Sequence, residues 1–204
     1  MDHYKEYNKI EMEIFRNGEL IGYNYYFFTR NGDETIVTNQ IKFSVKLLGA
    51  TIFQVEGYGE EKYIKDQLIS YESKTLQNDK EKFVNLFFDE NKFNVKGSSY
   101  SGEASINNIV GNWWNHKILQ TDSQISPISG SIKKQVVTFV GKEKIEQYGK
   151  VYNVDRFTLK SKDMTLPKDK RLDFNIWFEK ETAQIIRVSY SRMGNWEYRL
   201  KNFE

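Results

Sequence analysis

The chain of 204 residues has no cysteine, two prolines, two histidines and no long uninterrupted apolar run. Each scarcity removes a class of chemistry. Without a thiol there is no disulfide framework, no thiolate nucleophile and no cysteine-held zinc or iron–sulfur centre. With two imidazoles at most, a metal site would have to be built mainly from carboxylates and would select a hard cation. No nucleophile elbow, P-loop, dinucleotide fingerprint, H-E-x-x-H pair or EF-hand loop is present, so no metal and no cofactor is expected. Two prolines, no Ser/Pro-rich stretch and no fixed-period repeat leave no linker, and residues 1–204 read as one domain. No stretch approaches the roughly 18 apolar residues of a membrane helix.

Charge is equally unspecific. Thirty Lys and Arg stand against 28 Asp and Glu, a formal net charge of +2, and the two signs are interspersed along the chain. A nucleic-acid partner is therefore not expected, because it would call for a clustered basic patch. The opening "MDHYKEYNKI" lacks the basic start and apolar stretch of a secretory leader. Two readings follow: a cytoplasmic protein, or one whose leader has been removed. The charged N-terminal segment carrying His3 is expected to fray.

What the chain does have is aromatic side chains, 15 % of the total, and period-two alternation. "IKFSVKL" sets Ile41, Phe43, Val45 and Leu47 against Lys42, Ser44 and Lys46. "LDFNIWF" does the same with Leu172, Phe174, Ile176 and Phe178, and "IRVSY" with Ile186, Val188 and Tyr190. Such alternation marks strands with one covered face. "YNYYFF" (23–28) and "FVNLFF" (83–88) suit strands by propensity. Turn signals punctuate these runs at "RNGEL" (16–20), "RNGDE" (30–34), "QNDKE" (77–81), "DENK" (89–92), "VGKEK" (140–144) and "EKETA" (179–183). Gly57 and Gly59 in "GYG" read as a bulge or tight bend. The fold class is mainly β: one large curved antiparallel sheet, a meander forming an incomplete barrel.

One segment breaks the alternation. In "INNIVGNWWNHKIL" (106–119), Ile106, Ile109, Val110, Trp113, Trp114 and Lys117 recur at helical spacing. The spacing predicts a short helix over 104–118, with Ser105 as N-cap, lying in the concavity of the sheet. Adjacent helical residues diverge by about 100°, so one of Trp113 and Trp114 should anchor the core while the other faces open space. His116, near the end of that helix, is the one histidine placed to touch a ligand or move a proton. Glu60 and Glu61 offer neighbouring carboxylates for acid–base hydrolysis, a third-ranked reading. In the strand pattern Trp177 points away from Phe174, Ile176 and Phe178, toward solvent or a second apolar surface. The candidate ligand-binding residues are therefore Trp113, Trp114, His116 and Trp177.

"WWNHKILQTDSQISPISGSI", Gly149 in "QYGKVYNVDRFTL", "LDFNIWFE" and "IIRVSYSRMGNWEYRL" follow one another in the C-terminal half. Together with the opening "NGELIGYNYYFF" and "TNQIKFSVKLLG", they resemble a family of exported bacterial β-rich domains of unknown function. Trp113 and Trp114 match that family's aromatic-Trp position. More distantly, the chain is similar to periplasmic lipoprotein carriers, in which a curved sheet wraps helices around an apolar cavity. The resemblance implies an exported protein and brings no catalytic residues with it. Three functions are then in view: a non-enzymatic envelope protein holding an apolar ligand or lipid, a structural module binding an envelope protein partner, and the hydrolase.

Overall fold

Asn-Gly pairs open the architecture. In the computed structural model, which describes residues 2–204, Asn17 and Gly18 adopt φ of 51° and 83°. That is the geometry of a two-residue hairpin turn. This turn joins β1 (Lys9–Arg16) to β2 (Glu19–Asn31). Further hairpins add β3 (Glu34–Leu47), β4 (Ala50–Ile64), β5 (Gln67–Gln77), β6 (Lys80–Asp89), β7 (Lys92–Gly97) and β8 (Ser101–Ser105). The second half contributes β9 (Ile109–Val110), β10 (Ser123–Ile125), β11 (Ile132–Gln147), β12 (Lys150–Ser161), β13 (Asp173–Glu179), β14 (Gln184–Ser191) and β15 (Asn195–Phe203).

All fifteen form one curved, open sheet, in the order β8-β7-β6-β5-β4-β3-β2-β1-β15-β14-β13-β12-β11-β10-β9. Every neighbouring pair is antiparallel except β9 and β10. Two meanders are thus joined by the pairing of β1 with β15, which brings Ile14 opposite Tyr198 and Met12 opposite Leu200. The outer edges, β8 and β9, do not pair with each other. They approach through the turn at residues 126–131, where the Ser99 amide donates to the Ser129 carbonyl at 2.9 Å.

Alternation sends the apolar set inward. Ile10 and Met12 of β1, Tyr26 and Phe28 of β2, Val84 and Leu86 of β6, Phe93 and Val95 of β7 and Leu200 of β15 belong to one buried cluster. Strands so far apart in the sheet can share a core only if the sheet curls around it. In an up-and-down meander the hairpin turns also sort into two ends. One end collects the turns at 17–18, 48–49, 78–79, 126–131, 162–172 and 192–194, the other those at 32–33, 65–66, 90–91, 148–149 and 180–183.

Four expectations are corrected. The helix over 104–118 does not form: among the described residues the only helical turns are short 3-10 turns, one of them at His116–Gln120, capped by Asn115. Ser105 closes β8, and its hydroxyl accepts from the Asn107 amide instead of starting a helix. "VGKEK" is no turn, because Gly141 lies within β11 at a register shift and the chain reverses later, at Tyr148-Gly149. Gly57 and Gly59 lie in regular pairing opposite Ile41 and Asn39. There is no bulge at either; a Cβ on Gly59 would come within 3.0 Å of the Tyr71 hydroxyl, so the missing side chain makes room for an inward tyrosine. The N-terminal segment is docked rather than frayed, with Tyr4 only 2 % exposed.

Candidate functional site

The chain between β8 and β11 crosses the concavity as an irregular strap, and buried hydrogen bonds hold it. Glu61 of β4 points inward and is buried. The Tyr63 hydroxyl donates to its Oε2 at 2.5 Å, while Asn112 Nδ2 and Trp114 Nε1 donate to Oε1 at 2.6 and 2.8 Å. Burial raises the Glu61 pKa, and the three donors pull against that rise. Trp114 is then enclosed by rings: Tyr4 at 5.1 Å, Phe28 at 5.4 Å and Tyr63 at 6.0 Å between centroids, all edge-on. Edge-to-face contacts of this kind add to the burial of area.

His116 belongs to the same plug. Its amide donates to the Tyr4 hydroxyl at 2.9 Å, and that hydroxyl lies 2.6 Å from His116 Nδ1. The same hydroxyl donates to the Ala183 carbonyl at 3.4 Å, so Tyr4 ties the N-terminal segment both to the strap and to the turn before β14. Desolvation, with His3 and Lys117 nearby, lowers the His116 pKa to about 4. The ring stacks on Phe178 and meets His3 edge-on. Tyr4 and Tyr7 are fastened by the Arg30 guanidinium, which donates to both carbonyls. One end of the curved sheet is therefore stoppered by Tyr4, Trp114 and His116.

The other end is open. A groove of about 910 Å³ runs down from it, walled by the inward side chains of β2 to β5, by the strap at 111–113 and 124–131, and by the loop before β13. Its aromatic lining is Tyr26, Tyr58, Tyr71, Trp113, Phe174, Tyr190 and Tyr198. Between these rings stand short polar groups. Asn39 Nδ2 donates to Asn24 Oδ1 at 2.6 Å, Asn24 Nδ2 donates to the Tyr26 hydroxyl at 2.8 Å, and the Trp113 amide donates to the same hydroxyl at 3.2 Å. Tyr71 and Ser73 both donate to the Pro127 carbonyl and pin the strap against β5. Burial raises the pKa of every groove tyrosine for which a shift is resolved, Tyr198 to about 12, so these hydroxyls stay protonated.

The structure separates the four sequence candidates. Trp113 lines the groove and packs edge-on against Phe174 at 5.1 Å. Trp114 and His116 are in the plug. Trp177 lies on the outer face, its indole nitrogen donating to Glu143 at 3.0 Å and its ring flanked by the guanidiniums of Arg156 and Arg187. Glu60 is on the opposite side of β4 from Glu61, where it accepts from the Tyr58 hydroxyl. Sequence reading missed the groove tyrosines and asparagines, whose spacing in β2 (Asn24, Tyr26) and β15 (Tyr198) carried the signal: polar-tipped residues at inward positions. It also missed a gathering in space. The groove is bordered by seven Lys or Arg and only two Asp, although charges alternate along the sequence.

An open β-barrel-like sheet, stoppered at one end and grooved at the other, is the class of protein that the fold and site define. The chain belongs to the family described as a domain of unknown function (DUF6134), which it matches over residues 12–201. No curated protein matches it. Among solved structures it is similar to a β-barrel-like protein of domain of unknown function DUF1849 from Brucella abortus. Identity is 10 %, covering 96 % of this chain and 95 % of that one, with a TM-score of 0.62. A DUF1329 family protein from Desulfovibrio piger aligns at 12 % identity over 100 % of this chain and 88 % of that one, with a TM-score of 0.25. The Brucella likeness is one of fold.

Proposed function

We propose that the protein is a binding or carrier domain that takes up a lipid or similar amphiphile in the open groove. The observation that carries this reading is the groove itself. Ligand pockets usually span roughly 300–1,000 Å³ and combine an apolar lining with a few fixed polar groups. A groove of about 910 Å³, with seven aromatic rings and the Asn39–Asn24–Tyr26 chain of hydrogen bonds, has both features. An apolar body would lie against Trp113, Phe174 and Tyr198. Its polar atoms would meet Asn24, Asn39 and Ser73.

Binding rather than hydrolysis is favoured by where the titratable groups stand. Glu61 is spent on holding the strap, Glu60 faces outward, and His116 is committed to Tyr4. Native mass spectrometry and organic extraction of the purified protein should reveal a co-purifying lipophile. Trp113→Ala should lose it while Trp177→Ala retains it. An empty groove in the purified protein, with no change in Trp113 fluorescence on adding lipid, would sink the reading.

A further inference from the structure

The turn between β3 and β4 has the same backbone as the turn between β1 and β2. Leu48 and Gly49 adopt φ of 51° and 83°, the values found at Asn17 and Gly18. Asn tolerates the left-handed region at the first of these positions, whereas a leucine there pushes its Cβ toward the following carbonyl. Tyr148, also at φ 51°, gains a contact from its position, because its hydroxyl donates to Glu13 at 2.5 Å. Leu48 has no such contact: it is 100 % exposed. Folding alone therefore does not account for a leucine at that tip.

Its neighbours extend the pattern. Beyond Val45 and Phe53, which still pack in a core cluster, the hairpin presents Leu47 and Ile52 to solvent. Leu20 heads β2 at the same end, and Met193, 87 % exposed, sits in the turn before β15. Leu48 and Met193 are the two most exposed large apolar residues of the described chain. This is also the open end, where the groove has its excess of cations. Lys168, Lys170, Arg171 and Arg192 are groove-lining, and Arg16 lies against the Met193 carbonyl.

We infer that this end docks on an anionic lipid bilayer, with Leu47, Leu48, Ile52 and Met193 entering the interface and the surrounding Lys and Arg meeting the headgroups. Exposed aliphatic side chains and an excess of cations at one end of the molecule are the two components of interfacial binding: apolar burial, and attraction to a negatively charged surface. The inference goes beyond the proposed carrier role and stands without it. If both hold, the groove mouth faces the membrane from which its ligand comes.

Flotation with vesicles tests it. The full chain should float with phosphatidylcholine vesicles containing phosphatidylglycerol, much less with pure phosphatidylcholine, and less as salt is raised, since screening weakens the attraction. Leu47→Ser with Leu48→Asn should lower partitioning by about tenfold or more, two buried leucines being lost. The Leu48→Asn change should leave the fold intact, because asparagine suits that φ. Lys168→Gln with Lys170→Gln should weaken the preference for phosphatidylglycerol, and full retention of that preference counts against the cations named here. Trp113→Ala, which empties the groove under the proposed function, should still float. No association with the anionic vesicles at low salt, or flotation unaltered by the paired leucine substitutions, overturns the inference, as does capture of a soluble protein by the tip without any vesicle association.

Discussion

At the scale of single residues, two buried titratable groups pull the pH dependence of stability in opposite directions. Glu61 has a pKa raised above 4.5 by burial. Its folded form holds a proton more tightly than the unfolded chain, so stability from this group is present below pH 4.5 and is lost as pH rises through the raised value. His116 has the reverse sign. Its pKa falls from 6.5 to about 4 in the fold, so its contribution is complete above pH 6.5 and is lost as pH drops toward 4. Urea unfolding across pH 4 to 7 should therefore show Glu61→Gln steepening the net rise of stability with pH, and His116→Phe flattening it. Trp114→Ala should cost about 3–5 kcal/mol, since it opens a cavity in the ring cluster and strips a donor from Glu61.

At the scale of elements, the tip of the β11–β12 hairpin does work that strand counting does not show. The register of β14 with β15 runs only as far as Arg187 opposite Arg199, one residue short of the carbonyls of Ile186 and Leu200. Gln147 is buried there, and its Nε2 donates to both, at 3.1 and 2.8 Å. Its Oε1 accepts from Arg187. Gln147→Leu would take a buried donor from each of two carbonyls and should cost about 2 kcal/mol in urea unfolding. Tyr148→Phe, losing one exposed bond to Glu13, should cost less than about 1 kcal/mol.

Elements also differ in how readable they were. The strands around Phe43, Ile176 and Val188 were legible because a sheet face imposes a period of two. The strap was not, because it crosses the concavity and is covered by sheet from several directions. Nothing then ties its apolar residues to one side, and Ile109, Val110, Trp113 and Trp114 took helical spacing without a helix. The spacing left open which tryptophan would anchor the core; it is Trp114 that is buried, while Trp113 lines the groove. The remaining groove residues could not be assembled from sequence, since they come from strands far apart in the chain.

At the scale of the whole molecule, β15 is flanked by β1 on one side and β14 on the other. The meander β1 to β8 and the meander β10 to β14 each keep local order, but they are joined only when residues nearly the whole chain apart pair. Topologies dominated by such non-local pairing refold in roughly milliseconds to seconds, slower than helical domains of like stability. Stopped-flow refolding should show Trp114 buried no earlier than this pairing.

The position of β15 has a further consequence, for biosynthesis. Until residues 195–203 leave the ribosome, two half-sheets coexist with bare edges at β1 and β14 and an unsealed interior. Exposed edges of that kind invite pairing with other chains. The nascent protein is thus open to edge-to-edge association until β15 has paired with both β1 and β14.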